Sequence, residues 1–217
     1  MKCESPWCKA GKVFLVVVGA IAFLWLVVIR LGSKLGHRGP CPYAVAWLVD
    51  NPLRRRYSRG LLDRVGIRPG EHVLELGPGP GAFTVEAARR SAPDGRVVAV
   101  DIQPKMIAAV EDKVRQAGVT NVETRVASAY DLPVADGSLD RAFLVTVLAE
   151  IPDQRRALAE LHRVLRPGGI LSISEEFLDP DYPLARTVIR RSGEAGFELA
   201  ERHGNWWAYT LNFRKLA

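Results

Sequence analysis

The segment Val73-Leu74-Glu75-Leu76-Gly77-Pro78-Gly79-Pro80-Gly81 constrains this chain more than any other. It reads as a buried apolar strand that breaks into a glycine-rich turn. A second apolar run, Val97-Val98-Ala99-Val100, follows and ends in Asp101. A strand, a glycine turn, a helix and a second strand closed by an acid make a nucleotide-binding half-site. Glycine lets the backbone approach a ligand closely, and the acid can accept hydrogen bonds from ribose hydroxyls. The rest of the chain has to decide which nucleotide is bound.

The 217 residues carry a formal net charge of +6, unevenly spread. Lys34, Arg38, Arg54, Arg55, Arg56 and Arg59 all lie between an apolar N-terminal segment and the glycine turn. A basic surface for nucleic acid is one reading. Placement beside a hydrophobic segment favours a membrane surface, so no nucleic-acid partner is expected. Cys3, Cys8 and Cys41 are an odd set lying outside the α/β region, so no disulfide framework is expected. Cys3 and Cys8 lack histidine partners, and no metal site is expected.

Val13 to Ile29 is an unbroken uncharged run, VFLVVVGAIAFLWLVVI, flanked by Lys9 and Lys12 before it and Arg30 and Lys34 after it. At about 1.5 Å per residue it nearly crosses a hydrocarbon core, and Leu31 with snorkelling flanks supplies the remainder. A buried core helix would be unusually apolar on all faces. A signal peptide would be shorter and end in small residues, whereas this run ends Leu26-Val27-Val28-Ile29-Arg30. The reading is a single uncleaved membrane anchor. The larger basic cluster lies on its C-terminal side, which puts the catalytic domain in the cytoplasm. The resulting organisation is an N-terminal tail (1–12), a transmembrane helix (13–31), a basic linker with a helical cap (32–66) and a ligand-binding domain (67–217).

Within the domain, Tyr43 to Asp50 and Leu53 to Val65 are predicted as short helices separated at Asn51-Pro52. Strand and helix patterns then alternate. Strands are predicted at Val73–Leu76, Arg96–Val100, Val122–Val126, Leu139–Val147 and Gly169–Ser174. The intervening helices are Ala82–Arg90, Pro104–Ala117 with proline in its first turn, and Asp153–Leu165. Leu184–Ala195 is a helix stopped by Gly196, and Phe197–Arg202 and Trp207–Phe213 are final strands. Alternation implies right-handed crossovers and a mainly parallel sheet. The short link His203-Gly204-Asn205 cannot carry a parallel crossover, so the last pair is antiparallel.

The glycines satisfy two fingerprints. Gly77-x-Gly79-x-x-Ala82 fits a dinucleotide, and Gly77-x-Gly79-x-Gly81 fits S-adenosylmethionine (SAM). Three features favour SAM. Glu75 at the edge of the first strand would repel a pyrophosphate but suits the methionine ammonium. The stretch Ala127-Ser128-Ala129-Tyr130-Asp131-Leu132-Pro133 leads through Asp136-Gly137-Ser138-Leu139-Asp140 into the fourth strand. Leu161-His162-Arg163-Val164-Leu165-Arg166-Pro167-Gly168-Gly169 ends a helix before the fifth. On these motifs, residues 60 to 202 resemble the class I SAM-dependent methyltransferases, in particular the group of ubiquinone and menaquinone biosynthesis enzymes. The resemblance implies an α/β, Rossmann-like, doubly wound sheet of seven strands with the last antiparallel, here preceded by one transmembrane helix. It implies SAM as cofactor and S-adenosylhomocysteine as product. Gly77, Pro78, Gly79 and Gly81 would line the cofactor beside Glu75. Asp101 would take the ribose and Ile102 the adenine, with Ser128, Ala129 and Thr146 completing the site. The family often has an acid near Ser128 and, in its quinone enzymes, a histidine after the fourth strand; here Ala149-Glu150 stand at the latter place.

Methyl transfer from a sulfonium is an in-line displacement with a neutral leaving group. The protein supplies proximity and a desolvated site, and a base only when the nucleophile arrives protonated. Ligands bind beyond the C-terminal strand ends. The acceptor candidates are therefore Glu150, Glu176 with its neighbour Glu175, and Tyr57 in the cap. Each has a plainer reading: Glu150 as a helix cap near Pro152, Glu175 and Glu176 as a solvated loop, Tyr57 as a packing residue. Asp101 could likewise be only a cap before Pro104. His162 reads as surface or core, and Trp206 and Trp207 as edge packing or membrane contact. The expected function is membrane-anchored methylation of a lipid or other hydrophobic small molecule, with a phospholipid amine or an isoprenoid as candidate acceptor. The alternatives are a small-thiol S-methyltransferase and a non-catalytic, SAM-binding assembly protein.

Overall fold

The computed structural model describes residues 16, 17, 19, 24, 39–45, 47, 50 and 60–216. The chain divides into two compact units, Met1–Arg38 and Gly39–Ala217. In the first unit, the described positions 16, 17, 19 and 24 are helical, and Val16, Val17 and Leu24 expose their side chains. Apart from those four positions, the predicted transmembrane helix 13–31 lies outside the described residues. So do Tyr57, Arg54 to Arg56, Cys3 and Cys8. Among the described residues, no helix is long and apolar enough to cross a membrane.

The second unit is built on β1 (His72–Leu76), whose last four residues are buried. A strand covered on both faces must be apolar throughout, and its Val-Leu-Glu-Leu breaks that rule only at Glu75. The glycine turn leads into α2 (Thr84–Ser91), after the short α1 (Leu61–Val65) that precedes β1. Next come β2 (Arg96–Asp101), α3 (Pro104–Ala117) and β3 (Val122–Val126). The chain then crosses back to β4 (Leu139–Val145), α4 (Gln154–Val164) and β5 (Leu165–Glu176). It finishes with α5 (Ala185–Glu194), β6 (Phe197–Gly204) and β7 (Ala208–Lys215).

The sheet has seven strands in the order β3-β2-β1-β4-β5-β7-β6. β1 to β5 pair in parallel, and β7 lies antiparallel between β5 and β6. This is the predicted architecture, including the antiparallel last strand. The strand order reverses between β1 and β4, so a crevice opens beyond their C-terminal ends. Two apolar clusters cover the faces. The larger runs from Leu74 to Phe213 around α4 and α5. The smaller packs Leu61, Leu62 and Val65 of α1 with Ala87 and Ala88 of α2 against Val73, Val97 and Phe143.

Several boundaries shift by one or two residues from the sequence reading, and three differences bear on the crevice. The predicted helix Tyr43–Asp50 is, where described, a single 3-10 turn at Tyr43–Val45, with Trp47 helical. The fourth strand ends at Val145, because Thr146 turns into the left-handed region with φ 55°. β5 is longer than expected at both ends. Leu165 already pairs with Leu139, and Glu175 and Glu176 pair with Tyr209 and Ala208 of β7. Glu175 and Glu176 are therefore not a solvated loop: the antiparallel neighbour carries them inside the sheet, where both are buried.

Candidate active site

Glu75 is the penultimate residue of β1, at the crevice. It is 2% exposed, and its Oε2 has no hydrogen-bond partner, nor does the buried Thr84 hydroxyl. Burial pushes its carboxyl up to about 7, with the neighbouring Thr84 side chain and Lys113 opposing the effect and the Asp101 charge adding to it. A buried acid left short of a donor is costly unless a ligand supplies one. The ammonium of a methionine group is such a donor. Glu75 also lines a small cavity with Gly77, Pro78, Ala82, Phe83 and Val145.

The turn after Glu75 is held by Gly77 N–H donating to Val100 at 2.8 Å and Gly81 N–H donating to Pro78 at 3.0 Å. Gly77 has φ 70°, and a Cβ there would stand 2.6 Å from Val147, so both backbone and packing demand glycine. Gly79 has φ 53° and only open space where a Cβ would stand. Its bare face is a cradle that a ligand can approach. Asp101 closes β2 beside it. The Asp101 carboxylate accepts the Gln103 N–H at 2.9 Å, and the Gly79 and Ile102 amides also donate to it. Burial raises its pKa, while those amides pull it down. Asp101 thus organises the loop before α3, yet Gln103 rather than Asp101 is the N-cap of that helix. Ile102 is 56% exposed, an apolar side chain standing open beside the acid.

Ser128 and Ala129 follow β3 on the same rim. The Ser128 hydroxyl accepts the Tyr130 N–H at 3.2 Å, so its oxygen is already engaged in a local turn. Pro78 is buried under the turn. Thr146, at the end of β4, takes its positive φ despite a branched side chain, a strained state, and its N–H donates to Ser174 at 2.9 Å.

Glu150 lies in the 3-10 turn Leu148–Glu150 beyond β4. It is not the helix cap: Asp153 caps α4 by accepting the Arg156 N–H at 3.0 Å. Glu150 instead accepts the Cys41 N–H at 3.2 Å, and the Cys41 carbonyl accepts the Gln103 side-chain amide at 2.9 Å. Residues 39–45 are thereby tied to the ends of both β2 and β4. Burial pushes Glu150 up to about 8, and Asp179, Asp181 and Asp101 reinforce the effect. Glu175, on β5, is 1% exposed with no partner on either carboxylate oxygen, and burial drives its pKa well above the ordinary value.

The crevice therefore gathers the predicted Glu75, Gly77, Gly79, Asp101, Ile102, Thr146 and Glu150, with Glu176 on the strand beyond; Tyr57 lies outside the described residues. Sequence reasoning missed Cys41, Gln103 and Thr84, and named Glu175 only as the neighbour of Glu176. Glu175 carried a weak signal, being next to Glu176 at a strand end. Cys41 and Gln103 carried none, since their roles arise from a contact spanning 62 residues. His162 lies edge-on to Phe197 with ring centroids 5.2 Å apart, away from these acids in sequence and in role.

An acid-closed glycine turn at the switch point of this sheet defines a nucleotide-binding α/β domain. Residues 74–173 match the methyltransferase domain family. A 37.1 kDa transposon TN4556 protein of Streptomyces fradiae is 36% identical over 166 residues, covering 70% of this chain and 48% of that protein. The ubiquinone/menaquinone biosynthesis C-methyltransferase of Vibrio campbellii is 35% identical over 137 residues, 61% of this chain and 53% of its own length. An arsenite methyltransferase of Halobacterium salinarum is 38% identical over 115 residues, 53% of this chain and 29% of its own. The chain spans about half or less of the length of these relatives. A SAM-dependent methyltransferase of Aquifex aeolicus has the same fold, with a TM-score of 0.76 at 21% identity over 81% of this chain and all of that one.

Proposed function

We propose that this protein is a membrane-anchored, SAM-dependent methyltransferase acting on a lipid or other hydrophobic small molecule. The observation that carries the proposal is the pairing of Glu75, with its unpartnered oxygen, and Asp101 across the open face of Gly79. Glu75 suits the ammonium of a methionine group, and Asp101 suits a ribose. SAM, when bound, supplies a methyl group on a sulfonium. The residues of the chain bind and orient the reactants and exclude water, and the acceptor's lone pair makes the new bond in line with the departing sulfur. The uncharged run 13–29 supports the membrane part, as do the exposed apolar side chains at Val16, Val17 and Leu24. A tether at the bilayer raises the local concentration of a lipid acceptor. A relative named for ubiquinone/menaquinone biosynthesis also favours an apolar acceptor, while Glu150 in place of a histidine argues against a quinone itself.

The test is a labelling experiment. Full-length protein is incubated with methyl-labelled SAM, membrane lipid extract and a panel of thiols, and SAM affinity is measured in parallel. Label in lipid is expected. Label confined to thiols would replace the acceptor class, and SAM binding without any label would indicate a binding protein. Asp101→Ala is expected to weaken SAM binding by roughly tenfold or more, about the worth of a charge-assisted hydrogen bond. Unchanged affinity would refute the assigned pocket.

A further inference from the structure

Beyond the SAM end of the crevice lies a second cluster of charge. Glu150 follows β4, Glu175 and Glu176 end β5, and Asp179 and Asp181 occupy the turn that follows. That turn is fixed, with the Asp179 N–H donating to Glu176 and the Asp181 N–H to the Asp179 carboxylate at 2.7 Å. The charges of Asp179, Glu150, Glu176 and Asp181 all act on Glu175 in the same direction. Glu175 is fully enclosed, and neither of its oxygens meets a donor. A buried carboxyl among other carboxyls, with no hydrogen bond, is not a stabilising device of the fold. It suits a ligand that brings its own donors and positive charge.

Aromatic rings border the same cluster. Glu175 pairs across the sheet with Tyr209, whose ring lies 5.6 Å from that of Tyr182. Phe177 stacks on Trp207 at 4.6 Å and meets Trp206, which is 68% exposed. Carboxylates backed by aromatic faces are a setting for an alkylammonium group. The same setting repels any acceptor whose reactive form is an anion, such as a thiolate.

Resting on the methyltransferase reading above, we propose that the acceptor is an amine on an apolar chain, held as an ammonium by Glu150 and Glu175, so that the reaction is N-methylation. Glu150 is the outer of the two, bridging through Cys41 to the loop after Asp101, and so stands between the cofactor side and the acid cluster. The ammonium enters beneath residues 39–45 and loses one proton to the Glu150 carboxylate. The freed nitrogen lone pair forms the N–C bond while the C–S bond breaks, its electron pair staying on a sulfur that becomes neutral. The N-methylammonium product keeps one positive charge, and the Glu150 proton passes to water.

The test uses full-length protein in detergent with dodecylamine, dodecanethiol and dodecanol, which share one chain and differ in the head. Dodecylamine binding is followed by tryptophan fluorescence with S-adenosylhomocysteine present, and methyl transfer by label from SAM. Binding and label are expected for the amine alone. Glu175→Gln and Glu150→Gln are each expected to raise the Kd for the amine by roughly tenfold or more, with SAM affinity within about twofold of the parent. Glu150→Gln should also move the pH profile of kcat, which a merely structural role would not do. Label in the thiol or alcohol, amine binding indifferent to both variants, or no amine binding would overturn the amine assignment. If lipid extract is labelled in that last case, the methyltransferase reading survives. Amine binding that both variants abolish, with no label in any acceptor, would keep the ammonium seat and overturn methyl transfer. SAM affinity retained in the variants shows that the site is still folded.

Discussion

Glu75 is the residue at which stability meets the proposed cofactor binding. Its carboxyl stands at about 7 in the fold against an ordinary 4.5, because burial disfavours its charge. The folded chain thus holds this proton more tightly than the unfolded chain does. The associated stability is fully present below pH 4.5 and is lost as pH rises through about 7. A shift of this size corresponds to on the order of 3 kcal/mol. Glu150, pushed up to about 8, acts in the same direction. The SAM-free protein is therefore expected to melt at a lower temperature at pH 8 than at pH 5, and Glu75→Gln should flatten part of that slope while weakening SAM binding. Calorimetry across this range checks it, and an unchanged slope in Glu75→Gln would remove the assignment. The two glycines nearest the site separate in the same way. Gly77→Ala forces a Cβ to 2.6 Å from Val147 at a positive φ, so it should lower the unfolding midpoint in urea. Gly79→Arg meets open space but still carries the strain of φ 53°, so it should cost less folding stability than Gly77→Ala and abolish SAM binding in equilibrium dialysis.

Among the elements, the end of the sheet opposite the crevice is held by one buried ion pair. Arg141 on β4 donates to both oxygens of Glu71 at 2.8 and 3.0 Å and to the carbonyl of Val65 at the end of α1, at 2.8 Å. Glu71→Ala would strand a guanidinium that is nearly enclosed. A loss of about 3 kcal/mol in urea-denaturation free energy is expected, with SAM affinity unchanged because the pair is remote from the strand ends that carry the site. The elements also mark how far sequence reading reaches. Pro104–Ala117 and Val122–Val126 were legible to the residue, since a proline start, a glycine stop and apolar spacing are local signals. The ends of β4 and β5 were not. Thr146 leaves the strand because of a strained backbone, and Glu175 joins β5 because β7 lies beside it. Nothing in the residues flanking either position encodes that neighbour.

The whole chain joins this domain to the apolar run 13–29. Ala22→Arg places a charge at the middle of that run, at a cost of about 3 kcal/mol for insertion in a bilayer. It is expected to shift the protein from the carbonate-resistant membrane fraction to the soluble one, and its persistence in the membrane fraction would remove the anchor. The sequence by itself determined the alternating α/β order, the antiparallel final pair and a glycine turn open to a close ligand approach. Those follow from local apolar period, turn length and the few residue types a close ligand approach allows. Only the tertiary structure decided that Glu175 is enclosed rather than solvated, that Glu150 faces Cys41 instead of capping a helix, and that the acids beyond β4 and β5 converge. Burial and electrostatic coupling depend on which strands become neighbours, and that pairing joins residues far apart in the chain.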